Sequence, residues 1–275
     1  MTEDRLFGVA NKVVVVTGAL GQLGQAFTAE LLARGAKVVA VGRSSAAEAQ
    51  DRLGALAGAE NLRYASIDIT SKQSINAGLD AALEGWGAPD GLVNNAGIDT
   101  QPSAPPEVSG PFEDFPEEVF REVVETNLTG TFLMTQAVGK RMRHAGNGGS
   151  IVNIGSIYGM LSPIQDIYAY KYEQTGVPFI KPVAYSASKS GVYNLTRYCA
   201  TYWGRVGIRV NTLTPSGIGR DTQDGHFKAN YTARMPIGRM ATVDDYLAPL
   251  IYLLSDGSTY MTGSNLVVDG GWTAW

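Results

Sequence analysis

Short apolar runs alternate along the chain with longer stretches whose apolar residues recur at helical spacing. Residues 13–17 are a β-branched run between polar and glycine positions, the pattern of a strand covered on both faces. A glycine-rich turn follows, then a helical pattern over 25–33 closed by Gly35. Residues 37–41 repeat the apolar run, 46–57 are alanine-rich and helical, and 63–67 predict a third strand. A helix over 71–83, with Ser71 placed to cap it, leads to a fourth strand and turn over 91–97. Four such alternations predict an α/β fold with a parallel, doubly wound sheet.

The rhythm breaks over 98–116, where five prolines and several acids predict a long ordered loop. Helix resumes over 117–142 with Asn127 and Gly130 inside it, poor helix formers that signal a distortion or a close approach. A fifth strand over 150–154 ends in Gly155-Ser156, at the end where open parallel sheets place ligands. Residues 160–182 are irregular and carry Asp166, Tyr168, Tyr170, Lys171, Tyr172 and Glu173. Those tyrosines suit packing and a pocket wall equally. A long helix from 183 to about 204 and a sixth strand over 208–214 follow. Pro215-Ser216-Gly217 then turns the chain into a polar, glycine-punctuated stretch, 218–239, a candidate lid. A helix over 243–254 and a last strand over 266–268 close the pattern. With no repeat or linker, residues 1–275 read as one domain.

Composition narrows the class. Apolar residues make up 44% of the 275, enough for a core. The net charge is −4 and no basic cluster interleaves with aromatics, so no nucleic-acid partner is expected. No run approaches the ~20 apolar residues of a membrane span. Residues 1–11 lack a signal peptide's apolar core, and a cytoplasmic location is expected. The single cysteine, Cys199, sits among apolar and aromatic residues and reads as buried packing. His144 and His226 have no ligand spacing around them, so no metal site is expected.

Two stretches carry chemistry. Tyr185 and Lys189 stand four apart at the start of the long helix, on one face. An ammonium beside a phenol favours the phenolate, so the pair is expected to lower the tyrosine pKa and move a proton near neutral pH. Packing for Tyr185 and solvation for Lys189 is the plainer alternative. Gly18, Gly21 and Gly24 lie between a buried strand and a helix, where they allow a tight turn, close approach of a pyrophosphate and close helix–strand packing. At the end of the second strand, the acid that would grip a ribose diol is replaced by Gly42, and Arg43 follows. Arginine there suits a 2′-phosphate, which favours NADP while leaving NAD possible. Ser44 and Ser45 either add donors or cap the next helix.

Together, Thr17-Gly18…Gly24, Asp68, Asn94-Asn95-Ala96-Gly97, Asn127, Ser156, Tyr185/Lys189 and Pro215…Gly217 resemble the short-chain dehydrogenase/reductase family in its compact single-domain branch, over nearly the whole chain. The resemblance implies a Rossmann-type sheet of about seven parallel strands with helices on both faces. It implies Tyr185 as acid/base, Lys189 lowering its pKa and holding the nicotinamide ribose, and Ser156 on the reacting oxygen. Asn127 would hold its helix open around a water linking Lys189 to solvent. Gly18, Gly21, Gln22 and Leu23 would meet the pyrophosphate, Arg43 and Ser44 the adenine ribose, and Asp68 and Ile69 the adenine. Asn95, Ala96 and Gly97 would lie along the cofactor, with Pro215, Gly217 and Ile218 at the nicotinamide.

Three departures stand out. Gln22 occupies the place of the family's middle glycine, which here falls at Gly21 and puts the pyrophosphate cradle in question. Ser216 stands where the family has the glycine of its Pro-Gly turn. The 160–182 stretch is an insertion between Ser156 and Tyr185. That insertion, the proline-rich loop and the ending also look like a subgroup associated with bacterial surface-sugar biosynthesis. The resemblance thus implies a secondary alcohol/carbonyl oxidoreductase on a sugar-like or polyol substrate, and a homotetramer or homodimer packed through the Tyr185 helix. Alternatives are a non-catalytic NAD(P)-binding protein and a nucleotide-sugar epimerase or dehydratase.

Overall fold

The computed structural model describes residues 4, 6–102, 104–105 and 108–275. Positions 1–3 and 5 of the polar N-terminal segment, and 103, 106 and 107 of the proline-rich loop, lie outside the described residues. Seven strands, β1 (Val13–Thr17), β2 (Lys37–Gly42), β3 (Leu62–Ser66), β4 (Gly91–Asn94), β5 (Gly149–Ile154), β6 (Ile208–Pro215) and β7 (Asn265–Val268), form one sheet in the order β3-β2-β1-β4-β5-β6-β7. Every pairing is parallel, as the alternating pattern predicts. The order reverses between β1 and β4, and a crevice opens there beyond the strands' C-terminal ends.

The helices are α1 (Gln22–Ala33), α2 (Ala46–Leu53), α3 (Lys72–Leu83), α4 (Glu117–Val124), α5 (Gly130–Ala145), α6 (Ile157–Met160), α7 (Tyr170–Thr175), α8 (Val183–Trp203), α9 (Gly225–Thr232) and α10 (Leu247–Leu254). Alternate β1 valines feed opposite faces. Val13 and Val15 join Leu79 of α3, Met134 and Val138 of α5, and Trp203 of α8. Val14 and Val16 join Phe27 and Leu31 of α1 and Leu250 of α10. Both faces are therefore covered, which is why the strands read as unbroken apolar runs. Cys199 belongs to the first of these clusters, and burial pushes its thiol up to about 11. No helix of the described residues is long and apolar enough to cross a membrane.

Several boundaries differ from the pattern's forecast. Helix α1 begins at Gln22 rather than 25, because Gly21 serves as its N-cap. The helical region 46–57 ends as α-helix at Leu53 and continues as 3₁₀ turn over Gly54–Gly58. The stretch 117–142 is not one regular helix: a π segment, Glu125–Thr129, separates α4 from α5. Both flags inside it have a cause. Asn127 lies in the π segment, and a Cβ on Gly130 would lie 2.7 Å from Ile69 Cδ1. The irregular 160–182 stretch contains α7, and the 218–239 stretch contains α9. On α8, Val192, Cys199 and Trp203 are buried and Leu195 packs against the core.

A polar ladder crosses the buried sheet face beneath the site. Asn94 donates to Asn153 (2.8 Å) and to Thr135 (2.8 Å), Asn153 donates to Thr196 (2.9 Å), and Thr196 pairs with Thr212 (2.9 Å). All five are buried, so each bond replaces one that water would otherwise make. Asn153→Leu is expected to cost Asn94 and Thr196 one hydrogen bond each and to destabilise the fold by about 2–4 kcal/mol. Urea unfolding of wild type and variant checks this.

Candidate active site

The site is assembled where β4 and β5 end and α8 begins. Strand β5 delivers Ser156, whose Oγ accepts from the Tyr158 amide (3.2 Å) and caps α6. Tyr193 fixes the Ser156 backbone: its hydroxyl donates to the Ser156 carbonyl (2.8 Å). Helix α8, entered through Pro182, carries Tyr185 and Lys189 on one face, as their spacing requires. Lys189 is 4% exposed; its Nζ donates to the Ile154 carbonyl at the end of β5 (2.7 Å) and lies 5.9 Å from the Tyr185 ring centroid. Asn127 is fully buried and holds Ile98 twice, donating to its carbonyl (2.9 Å) and accepting from its amide (2.8 Å). It also donates to Ser188 Oγ (3.1 Å), tying the π segment to α8.

The electrostatics correct one expectation. In this pocket Tyr185 is not held below the ordinary phenol range. Burial raises it, the Asp99 carboxylate adds to the rise, and the Ser156 hydroxyl opposes it through a hydrogen bond. Burial likewise lowers Lys189 to about 8, with Asp99 opposing. The spacing foresees proximity; desolvation of both groups outweighs their mutual attraction.

The glycine turn has a geometry that could hold an anionic group. Gly18 has φ +62°, and a Cβ there would lie 2.8 Å from Ala96 Cα, so only glycine fits between β1 and the Asn95-Ala96 turn. Asn95 closes that turn by donating to the Thr17 and Gly18 carbonyls (both 3.1 Å). Gly21 gives α1 no side-chain cap, so the first amides of the helix keep no side-chain acceptor. Gln22 does not disturb this cradle. Its side chain points to the 218–239 stretch, accepting from Arg220 Nε (2.7 Å) and reaching the Gly219 carbonyl (3.4 Å). The shifted Pro-Ser-Gly turn has a packing reason: a Cβ on Gly217 would lie 2.6 Å from the Tyr231 ring, while Ser216 is buried without such a clash and donates from its amide to Tyr246 (3.2 Å).

A cleft of about 990 Å³ runs from the start of α1 to α8. It brings together Leu23, Asn95, Gly97, Ser156, Tyr185, Lys189, Pro215, Gly217 and Ile218. Gly18, Gly21, Gln22, Ala96 and Asn127 support its walls without lining it. Arg43, Ser44, Asp68 and Ile69 lie outside it, beyond the ends of β2 and β3. Arg43 is exposed. Ser45 is used as the N-cap of α2 in a capping box with Glu48, so of the two serines only Ser44 keeps an uncommitted hydroxyl. Thr70 hydrogen bonds hold Asp68 below its ordinary value, and the Arg43 charge contributes. Tyr168 and Tyr170 are buried residues lining the cleft, and Tyr172 is exposed. Among the cleft residues the sequence reading did not single out are Asp99 and Lys181, which form a salt bridge (2.5 Å).

A family model described as enoyl-(acyl carrier protein) reductase matches residues 18–273. L-rhamnose 1-dehydrogenase (NAD(P)(+)) of Azotobacter vinelandii is 33% identical over 273 residues, covering 95% of this chain and 96% of that protein. D-threitol dehydrogenase of Mycolicibacterium smegmatis is 34% identical over 279 residues, covering 99% and 97%. Among solved structures, a short-chain dehydrogenase from Leptospira borgpetersenii with bound NAD+ superimposes with TM-score 0.83 at 31% identity, over 99% of this chain and 97% of that one. The chain belongs to the short-chain dehydrogenase/reductase family.

The buried ammonium makes a stability prediction. Lys189 has a folded pKa of about 8, against 10.5 when unfolded, so between those values the unfolded chain binds more protons. Stability from this group therefore rises as pH increases through that window, by on the order of 3 kcal/mol. Urea unfolding of wild type and Lys189→Met across the window should show the rise in wild type and its loss in the variant.

Proposed function

We propose that this chain is an oxidoreductase that interconverts a secondary alcohol and its carbonyl with NADP(H), accepting NAD(H) less well, on a polyol or sugar-like substrate. The observation that carries it is the convergence of Tyr185, Ser156 and Lys189 at one end of a cleft whose other end is the uncapped start of α1. The names of the rhamnose and threitol relatives support the substrate class. We take residues 1–275 as one domain carrying both cofactor and substrate.

In this reading Gly18, Gly21, Gln22 and Leu23 hold the pyrophosphate through backbone amides and the helix dipole. Arg43 and Ser44 take the 2′-phosphate, and Asp68 and Ile69 flank the adenine. Asn95, Ala96 and Gly97 line the ribose path, and Pro215, Gly217 and Ile218 border the nicotinamide. The nicotinamide, when bound, supplies the hydride chemistry. The protein's part is the proton and the oxygen. Ser156 holds the reacting oxygen by a hydrogen bond, and Tyr185 gives a proton to it in reduction or takes one from it in oxidation. Burial keeps Tyr185 protonated, the form that serves reduction. Lys189, while charged, lowers the cost of the phenolate that oxidation needs. Asn127 keeps the π segment docked on α8 behind Lys189.

The complete set of Asn127, Ser156, Tyr185 and Lys189 favours catalysis over a non-catalytic cofactor-binding role. We further infer a cytoplasmic homotetramer or homodimer. The exposed, stacked Tyr198 and Tyr202 on α8, with Phe132 on α5, offer it an apolar face.

Tyr185→Phe is expected to abolish turnover, by about 10³-fold or more, while NADPH binding stays near wild type. Near-normal turnover in that variant would sink the assignment. Arg43→Ala should weaken NADPH by about tenfold or more, as loss of a charge-assisted contact, and leave NADH almost unchanged. Nicotinamide fluorescence titrations read both affinities, and equal weakening of the two would reject the phosphate role.

A further inference from the structure

Lys181 and Asp99 come from the two segments that break the strand–helix rhythm, and they meet beside Tyr185. Lys181 ends the 160–182 stretch, and Asp99 opens the proline-rich loop just beyond β4. The lysine side chain is 5% exposed, and the aspartate 26%. Lys181 Nζ donates to Asp99 Oδ2 (2.5 Å) and to the Thr100 carbonyl (2.9 Å), 5.5 Å from the Tyr185 ring centroid. Gln165 grips the Lys181 backbone on both sides, accepting from its amide (2.9 Å) and donating to its carbonyl (3.2 Å). The ammonium is thus fixed rather than swinging on a free stem.

Both residues line the cleft that holds Tyr185 and Ser156. An ammonium has three donors, and the protein engages two of them here. Asp99 Oδ1 takes no hydrogen bond from the described residues. A neutral ion pair with capacity left on both partners matches a group that accepts and donates at once, which is a hydroxyl. A hydrocarbon in its place would leave both partners underused, and an anionic group would meet the carboxylate.

We propose that the Lys181–Asp99 pair is a specificity site that binds the substrate hydroxyl adjacent to the one being oxidised, so that the enzyme selects neutral vicinal diols over simple secondary alcohols and over sugar acids. This rests on the oxidoreductase reading above and narrows its substrate class. Tyr185 and Ser156 would hold the reacting oxygen while the pair holds its neighbour.

The test compares a butanediol with adjacent hydroxyls and the corresponding secondary butanol, each with NADP. It uses wild type and the charge-neutral double variant Asp99→Asn/Lys181→Met, which leaves no unpaired buried charge. Wild type should prefer the diol by about 100-fold in kcat/KM, the scale on which a site built for a hydroxyl rejects its absence. In the double variant the diol-over-butanol ratio of kcat/KM should fall by about 30-fold or more, chiefly through a higher KM for the diol. Equal losses on both substrates would show a merely structural pair and overturn the proposal. So would wild type showing no diol preference, a result that does not need the variant to fold. Cofactor binding without turnover of either alcohol, or of their ketones, would overturn the oxidoreductase reading and this inference together. Turnover without discrimination would overturn the inference alone.

Discussion

A lysine ammonium held out of water is the constraint around which this end of the molecule is arranged. Lys189 is 4% exposed, and its bond from Nζ to the Ile154 carbonyl is what the protein offers in place of hydration. A buried cation costs several kcal/mol unless nearby groups compensate, so its surroundings are tightly specified. The carbonyl comes from the last residue of β5, which ties α8 to the sheet at that point. A Cβ on Gly97 would lie 3.7 Å from Nζ and 3.2 Å from Asn127 Oδ1, so the β4 turn fits closely against both. Asn127, in turn, occupies a π segment docked to α8 through Ser188. Sheet end, turn and helix distortion thereby meet on one charged group.

The same architecture explains why the glycine turn and the residues proposed for proton transfer border one cleft. The strand order reverses between β1 and β4, and the crevice this opens is bordered by the glycine turn after β1 and by the end of β5. Phosphates suit one end because α1 starts without a side-chain cap, and a reacting oxygen suits the other because Ser156 and Tyr185 converge there. Gln22 and Arg220 bridge the rim between the glycine turn and the 218–239 stretch, so the departure from the family's glycine pattern becomes a tie across the cleft mouth.

Much of this was legible in the chain because the signals were local. Four consecutive valines report burial on both faces, and Tyr185 and Lys189 share a helix face whatever surrounds them. Asn127 and Gly130 betrayed an irregular helix, though not that one marks a π segment and the other a close contact with Ile69. Non-local features were not legible. Lys181 and Asp99 are 82 residues apart, and nothing in either neighbourhood announces the other. The direction of the Tyr185 pKa was missed for a related reason. A four-residue spacing fixes which groups are neighbours but carries no information on how much water remains around them.

The central proposal is that Tyr185 moves the proton of the reacting oxygen while a bound nicotinamide would supply the hydride chemistry. Its most direct test is isotopic. Wild type and Tyr185→Phe would be incubated with NADP and a diol deuterated at the carbinol carbons, and the nicotinamide product analysed by mass spectrometry. The account predicts reduced cofactor carrying one deuterium in wild type and none formed by the variant. Reduced cofactor without deuterium, or substrate rearranged with no net reduction, would contradict it.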